Sequence, residues 1–237
     1  MAFFMEVLQT IKYSGIRKRI GEKMIISCAM PHTFQILAVD ITALDALRRK
    51  INAERDMKLT VTDFIVKACS IALQEVAIVN SALTDNIITV YKSCNIGVIT
   101  AVEEGLVGPV IKEAQTKSLF EISDEAKTLF NKARDGTLMP EDYSDSTFTI
   151  TNIGMLNIDS SIPLIFPPQA AILGVCTAKK RPVVIEEDGE DKIAVRLMMN
   201  LTLAGDHRII DGVPIAKFLN SVRGMLENPE KLLTGDV

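Results

Sequence analysis

The sequence predicts a single mixed α/β domain, on three observations. Apolar residues recur at helical spacing behind capping signals, short runs rich in β-branched residues lie between them, and no Pro/Gly/Ser-rich linker or repeat divides the chain. The chain has 237 residues, 48% hydrophobic and 24% charged, which suffices for one large core.

The first helix signal is Ile16, Ile20, Met24 and Ile25, with Arg17, Lys18, Arg19 and Lys23 on the other face. After Pro31 an extended run, His32 to Ile41, leads into Thr-Ala-Leu-Asp at 42–45. That tetrad resembles a capping box opening a helix that buries Leu44, Leu47 and Ile51. Thr60 with Asp63, and Ser118 with Glu121, predict two further capped helices, burying Phe64, Ala68 and Leu73 and then Ile122, Ala126 and Leu129. Strands are predicted at Ile87 to Tyr91, Asn95 to Val102 and Leu106 to Ile111, with Glu-Glu-Gly at 103–105 as a turn.

Beyond these, Thr147 to Ile153 and Ala170 to Val175 read as strands, and Asp188-Gly189 as a hairpin turn into a long strand from Ile193 to Leu203. The last helix has Pro214 in its first turn, buries Ile215, Leu219, Val222 and Leu226, and stops at Asn228-Pro229.

A formal charge of -4, with no Lys/Arg run interleaved with aromatics, argues against nucleic acid as a partner. Cys28, Cys69, Cys94 and Cys176 form no Cys-x-x-Cys pair and fit a reducing cytoplasm. Every apolar stretch is interrupted before about 18 residues, so no membrane span is expected, and no export signal is read. Met1 to Phe4 are expected to be an extraneous remnant, with the domain running from 5 to 237.

The strongest chemical signal is Asp206-His207-Arg208-Ile209-Ile210-Asp211-Gly212, between the long strand and the last helix. A turn there exposes side chains, and an imidazole is suited to accept a proton near neutral pH, which makes His207 a candidate base. Taken alone, the motif fits a surface histidine beside an aspartate that caps or braces the turn better than it fits a base. No metal site is expected, because no second histidine or carboxylate cluster stands at ligand spacing.

Several ordered landmarks resemble the catalytic domain of the dihydrolipoyl acyltransferases of 2-oxoacid dehydrogenase complexes. They are Gly15-Ile-Arg-Lys-Arg-Ile20 with Met24, Pro31-His32, Asn95-Ile-Gly-Val98, Gly105-Leu-Val-Gly-Pro-Val110, Thr147-Phe-Thr-Ile-Thr-Asn-Ile-Gly154, Pro167-Pro168, Ala171-Ile-Leu-Gly-Val175 and the motif ending in Asp211-Gly212. Chloramphenicol acetyltransferase shares the last motif, usually with His-His where this chain has Asp206-His207.

The resemblance implies a two-layer α/β sandwich like chloramphenicol acetyltransferase, a mixed sheet with helices on one face. It implies acyl transfer between dihydrolipoamide and coenzyme A, with His207 as general base, Thr151 as donor to the tetrahedral oxyanion, and Asp211 bracing the loop through a cation, Arg17 being the partner considered. Arg48, Thr60, Thr151 and Asn152 match coenzyme A positions. Taken alone, Arg48 equally reads as a solvated helix charge and Thr60 as an N-cap, and Thr151 reads first as an ordinary β-branched strand residue. Many members have an acidic residue where this chain has Ala101, a contact that Glu103 could replace, and His32 is read as structural.

It further implies a homotrimer with His207 and Thr151 supplied by neighbouring chains. The trimers join into a hollow shell through a C-terminal tail that docks across a two-fold axis, here Leu232 and Leu233. The acyl group would ride on a separate lipoyl domain. No lipoyl or subunit-binding domain is read within the chain, so decarboxylase and dihydrolipoamide dehydrogenase components would attach through domains lying elsewhere. Thr151-Asn-Ile-Gly-Met155 resembles acetyl- and branched-chain-transferring members more than succinyl-transferring ones. The rivals are a free-standing acetyltransferase acting on a small hydroxyl or amine, and a non-catalytic core subunit.

Overall fold

A computed structural model describes residues 5–55, 57–102 and 105–234, with the backbone alone at Ile16 and Thr234. Elements follow in the order α1 (Gly15–Cys28), β1 (His32–Asp40), α2 (Thr42–Arg55), α3 (Val61–Glu75), β2 (Ser81–Thr84), β3 (Ile87–Val90), β4 (Ile96–Val102), β5 (Gly105–Val107) and β6 (Val110–Ile111). Then come α4 (Leu119–Arg134), α5 (Pro140–Tyr143), β7 (Phe148–Asn152), β8 (Ala171–Val175), β9 (Lys179–Glu187), β10 (Glu190–Asp206), α6 (Gly212–Glu227) and α7 (Lys231–Thr234).

The main sheet has eight strands, ordered β1-β10-β8-β7-β4-β5, with β6 on β4 and β9 on β10. β7 runs parallel to both β4 and β8 and the remaining pairs are antiparallel, so the sheet is mixed. One face carries the main core, where Ile150, Leu173, Leu201 and Leu203 meet Phe64 of α3, Ile122 of α4 and Phe218 of α6. Phe148 and Phe218 touch at 5.6 Å between ring centroids, tying β7 to α6. The opposite face has a smaller cluster, in which Ile172 and Ala204 pack under Ile165 and Phe166 of the segment between β7 and β8.

Both predicted capping boxes on α3 and α4 form: Thr60 accepts from Asp63 N–H while Asp63 accepts from Thr60 N–H, and Ser118 and Glu121 do the same. The Thr42 box does not. The Thr42 hydroxyl donates to Asp40 and accepts Leu197 N–H, and the Asp45 carboxylate holds Arg48 and Arg49 instead. Burial would raise the Asp45 carboxyl, but the two guanidiniums override it and hold it below the usual value.

Three expectations need revising. A small hairpin, β2–β3, accompanies the predicted strand near residue 87; it turns at Asp85-Asn86, both at positive φ (51° and 63°), a turn signal that reading by β-branched runs passed over. α1 forms, but its apolar stripe has little to cover within the chain: Ile20 and Met24 are half-buried and Ile25 is exposed. The tail residues do have a helix of their own, α7, and Leu232 is 1% exposed within this chain's core with Leu233 packed beside it. Leu232 is thus taken up by this chain's own core, while Leu233 is only partly covered.

Candidate active site

β10 delivers His207. Its last residues pair with the start of β1, His32 opposite Asp206, and the His207 N–H donates to the Pro31 carbonyl at 2.7 Å. Asp206 is buried, and Arg208 folds back onto it with a forked contact (Nη2–Oδ2 2.6 Å, Nε–Oδ1 2.9 Å), which fixes the turn on either side of the histidine. Bracing thus falls to Asp206 and Arg208. Gln35 of β1 adds a hydrogen bond to the Gly212 carbonyl at 2.9 Å, anchoring the start of α6.

The His207 ring is exposed, with Nδ1 3.5 Å from Asp211 Oδ1. Asp211 is itself 85% exposed; among the described residues no ion pair joins it to Arg17, and its nearest charged partner is the histidine. His32 Nδ1 lies 2.9 Å from the Met30 carbonyl oxygen.

Thr151 lies on β7, opposite Gly174 of β8, which in turn lies opposite Thr202 of β10. His207, just past the end of β10, is five residues on from Thr202, so roughly 17 Å along the strand direction and two strand spacings across separate it from Thr151, about 19 Å in all. Within one chain they cannot touch the same atom.

Asn152, the next residue, points to the helix face, where it donates to Thr62 Oγ1 at 2.9 Å and accepts Gly154 N–H at 2.8 Å. Arg48 and Thr60 gather near the same end of the sheet, since Arg48 reaches the Leu59 carbonyl at 3.4 Å and Thr60 caps α3 one residue before Val61. Arg48 Nη2 is held by Asp45 at 2.7 Å, and its Nε is buried without a hydrogen-bond partner among the described residues. Arg48, Thr60 and Asn152 are thus brought together, while His207 lies at the other end. Thr62 was missed by sequence reading because only the packing of α3 against β7 reveals it. Glu103 lies outside the described residues.

Thr151 borders a cavity of about 260 Å³ on the sheet face away from the main helices. Ile172 and Gly174 form its floor, Pro163, Leu164 and Phe166 cover it, and Met24 of α1 closes one side. Burial lifts the Cys94 thiol to about 11 and pushes Cys69 further up, so neither supplies a thiolate nucleophile. Among the described residues no helix is long and apolar enough to cross a membrane.

Residues 6–234 match the family described as 2-oxoacid dehydrogenases acyltransferase (catalytic domain). The dihydrolipoyllysine-residue acetyltransferase component of the pyruvate dehydrogenase complex of Rickettsia prowazekii (strain Madrid E) is 35% identical over 96% of this chain and 56% of its own length. The chain spans about half the length of the curated relatives it matches. A probable dihydrolipoamide acetyltransferase from Listeria monocytogenes 4b F2365 superposes with a TM-score of 0.87 at 36% identity, covering 97% of both chains. The Azotobacter vinelandii dihydrolipoamide acetyltransferase, in which the roles of a serine, a histidine and an asparagine in the catalytic mechanism have been investigated, gives 0.88 at 29% identity, covering 98% of this chain and 100% of its own. The cubic core of the pyruvate dehydrogenase multienzyme complex gives 0.86 at 30% identity over 98% and 100% of the two chains. Chloramphenicol acetyltransferase, at 0.57 and 14% identity over 92% and 99%, shares the fold.

Proposed function

The chain belongs to the 2-oxoacid dehydrogenase acyltransferase family, matching its catalytic domain, and from that premise we propose that it moves an acyl group between dihydrolipoamide, carried on a separate lipoyl domain, and coenzyme A. A thiol near its free pKa of about 8.5 is mostly protonated at neutral pH, and only the thiolate attacks well. His207 Nε2 takes the proton of the attacking thiol. The new C–S bond forms as the carbonyl becomes a tetrahedral oxyanion, and Thr151 donates its hydroxyl to that oxygen, a contact worth about 3–4 kcal/mol in the transition state. The intermediate collapses, the old C–S bond breaks, and His207 returns the proton to the departing thiolate. For coenzyme A, Arg48 offers its partly exposed guanidinium to a phosphate oxygen, with Thr60 and Asn152 beside it.

The observation that carries this reading is the separation of about 19 Å between Thr151 and His207 in one chain. A base and an oxyanion donor that far apart work only if each site takes Thr151 from one copy and His207 from another. That favours a homotrimer with its sites between subunits, joined into a larger shell as the relationship to a cubic core suggests. Lipoyl domains are then the acyl carriers, and the decarboxylase and dihydrolipoamide dehydrogenase components the other partners. The relatives' names put acetyl first among candidate acyl groups.

Complementation tests it. His207→Ala and Thr151→Ala particles are each expected to be nearly inactive, whereas co-expressed mixed particles regain activity at about a quarter of their sites, because random assembly reunites a wild-type pair at that frequency. Mixed particles no more active than either parent would sink the shared site.

A further inference from the structure

We infer that His32, the only other histidine of the chain, is a positioning residue for His207, because it fixes the Pro31 carbonyl that holds the base's own amide. The inference rests on the reading of His207 as the general base.

The turn that carries His207 is gripped residue by residue. Asp206 N–H donates to the Ala170 carbonyl at 2.8 Å, Arg208 N–H to the Asp206 carboxylate at 3.1 Å, and Ile209 and Ile210 N–H to the Asp206 carbonyl at 2.9 Å each. Together with the Asp206–Arg208 fork, these bonds fix the residues on either side of the base. His207 N–H goes elsewhere, to the Pro31 carbonyl at 2.7 Å. The direction of that one carbonyl therefore sets where the imidazole leaves the backbone.

The carbonyl is oriented by residues 27–32. The pyrrolidine ring fixes φ of Pro31, so the freedom left is the ψ rotation, the one that swings its carbonyl. His32 Nδ1 lies 2.9 Å from the Met30 carbonyl oxygen, which can only accept, so Nδ1 carries a proton and donates it. That bond spans Pro31 and closes a ring of atoms that contains its ψ bond, which holds the carbonyl in place.

The corner has firm ground beneath it. Met30 N–H donates to the Ser27 carbonyl at 3.0 Å, and the Met30 side chain is buried with Ile165, Ile172 and Ala204. Buried Ser27 stands at the far edge of the imidazole, its Oγ 3.5 Å from Nε2, a contact too long to match the one at Nδ1. His32 is also the β1 partner of Asp206, so the corner sits at the root of the turn.

A base displaced by about 1 Å loses on the order of 10² in rate. Arg48, Thr60 and Asn152 lie at the other end of the sheet, so the signature is a fall in kcat at unchanged KM for the coenzyme A substrate. A residue that merely stabilised the fold would lower the yield of assembled protein and leave kcat per assembled particle alone.

The test is kcat and KM for acetyl-coenzyme A, with dihydrolipoamide as acceptor, per assembled particle of His32→Ala, His32→Asn and His32→Gln. Asparagine places an amide N–H near the position of Nδ1, and glutamine places one near that of Nε2. His32→Ala and His32→Gln should lower kcat by about 10- to 100-fold with KM within about twofold, and His32→Asn should stay within about fivefold of wild type. The contrast between asparagine and glutamine decides the matter even where the alanine variant does not assemble. Wild-type kcat in His32→Ala, a glutamine variant as active as the asparagine one, or a rise in KM that accounts for the loss overturns this inference alone. A near-wild-type kcat in His207→Ala, measured alongside, removes the base and the inference with it.

Discussion

With Asp211 Oδ1 3.5 Å from Nδ1 of His207, the opposite ring nitrogen, Nε2, is the one open to a thiol. Deleting that nitrogen removes the base and leaves the turn intact, since the turn is held by the Asp206–Arg208 pair and the Pro31 carbonyl. His207→Ala should lower kcat by about 10² to 10⁴ with particle mass unchanged, and a near-wild-type kcat would take His207 out of the chemistry. Asp211 is a different case. An 85% exposed carboxylate with no Lys or Arg pairing to it among the described residues braces little within the chain, so Asp211→Asn should keep stability within about 0.5 kcal/mol and lower kcat less than His207→Ala does. Melting temperature and kcat measured on the same preparation separate the two roles, a large fall in melting temperature restoring the brace.

α3 is the element that links the core to the end of the sheet where Arg48, Thr60 and Asn152 gather. Asp63 closes its first turn from a buried position, accepting Thr60 N–H at 2.7 Å and the Ser123 hydroxyl at 3.1 Å. Burial raises the Asp63 pKa, although those hydrogen bonds pull it down. A carboxyl raised in the folded state contributes stability that is fully present below its unfolded pKa of about 3.9 and is lost as pH rises through the folded value. Asp63→Asn keeps an acceptor and cannot ionise, so its cost in stability should be larger near about pH 3 than near about pH 7. Urea midpoints of both proteins at the two pH values measure this, and a cost that grows toward neutral pH would reverse the sign of the shift.

At the scale of the whole molecule, the tail matters for the fold itself. Leu232 is 1% exposed and belongs to the same core as Phe64 and Leu226, so Leu232→Ala should cost about 2–5 kcal/mol in denaturant unfolding. If the variant instead unfolds like the wild type but yields smaller particles by light scattering, the leucine docks on another copy after all. α1 is the counterpart at the other end of the chain. Its stripe of Ile20, Met24 and Ile25 is only partly covered, and Met24 reaches the cavity at Thr151.

Local chemistry made much of this legible in advance. Thr60 with Asp63 and Ser118 with Glu121 announce helices because a capping box involves only four consecutive residues, and Asp188-Gly189 announces a hairpin because positive φ at both residues (57° and 78°) is a property of the turn itself. Where two local solutions compete, sequence misleads: Thr42 was free to cap its own helix, yet Leu197 N–H, 155 residues away, took its hydroxyl. The Asp206-to-Gly212 motif likewise marks an exposed turn from sequence alone, because an imidazole in a strand-to-helix connection faces solvent. Which groups meet it is another matter. The strand order put β8 between β7 and β10, leaving Thr151 and His207 about 19 Å apart, and the packing of the segment after β7 made a cavity at one of them. Sequence by itself thus determined the elements and the candidate groups, since caps, turns and periodicity act over a few residues. Tertiary structure alone decided the distances, the pocket and the burial of Leu232, since these depend on contacts between residues far apart in the chain.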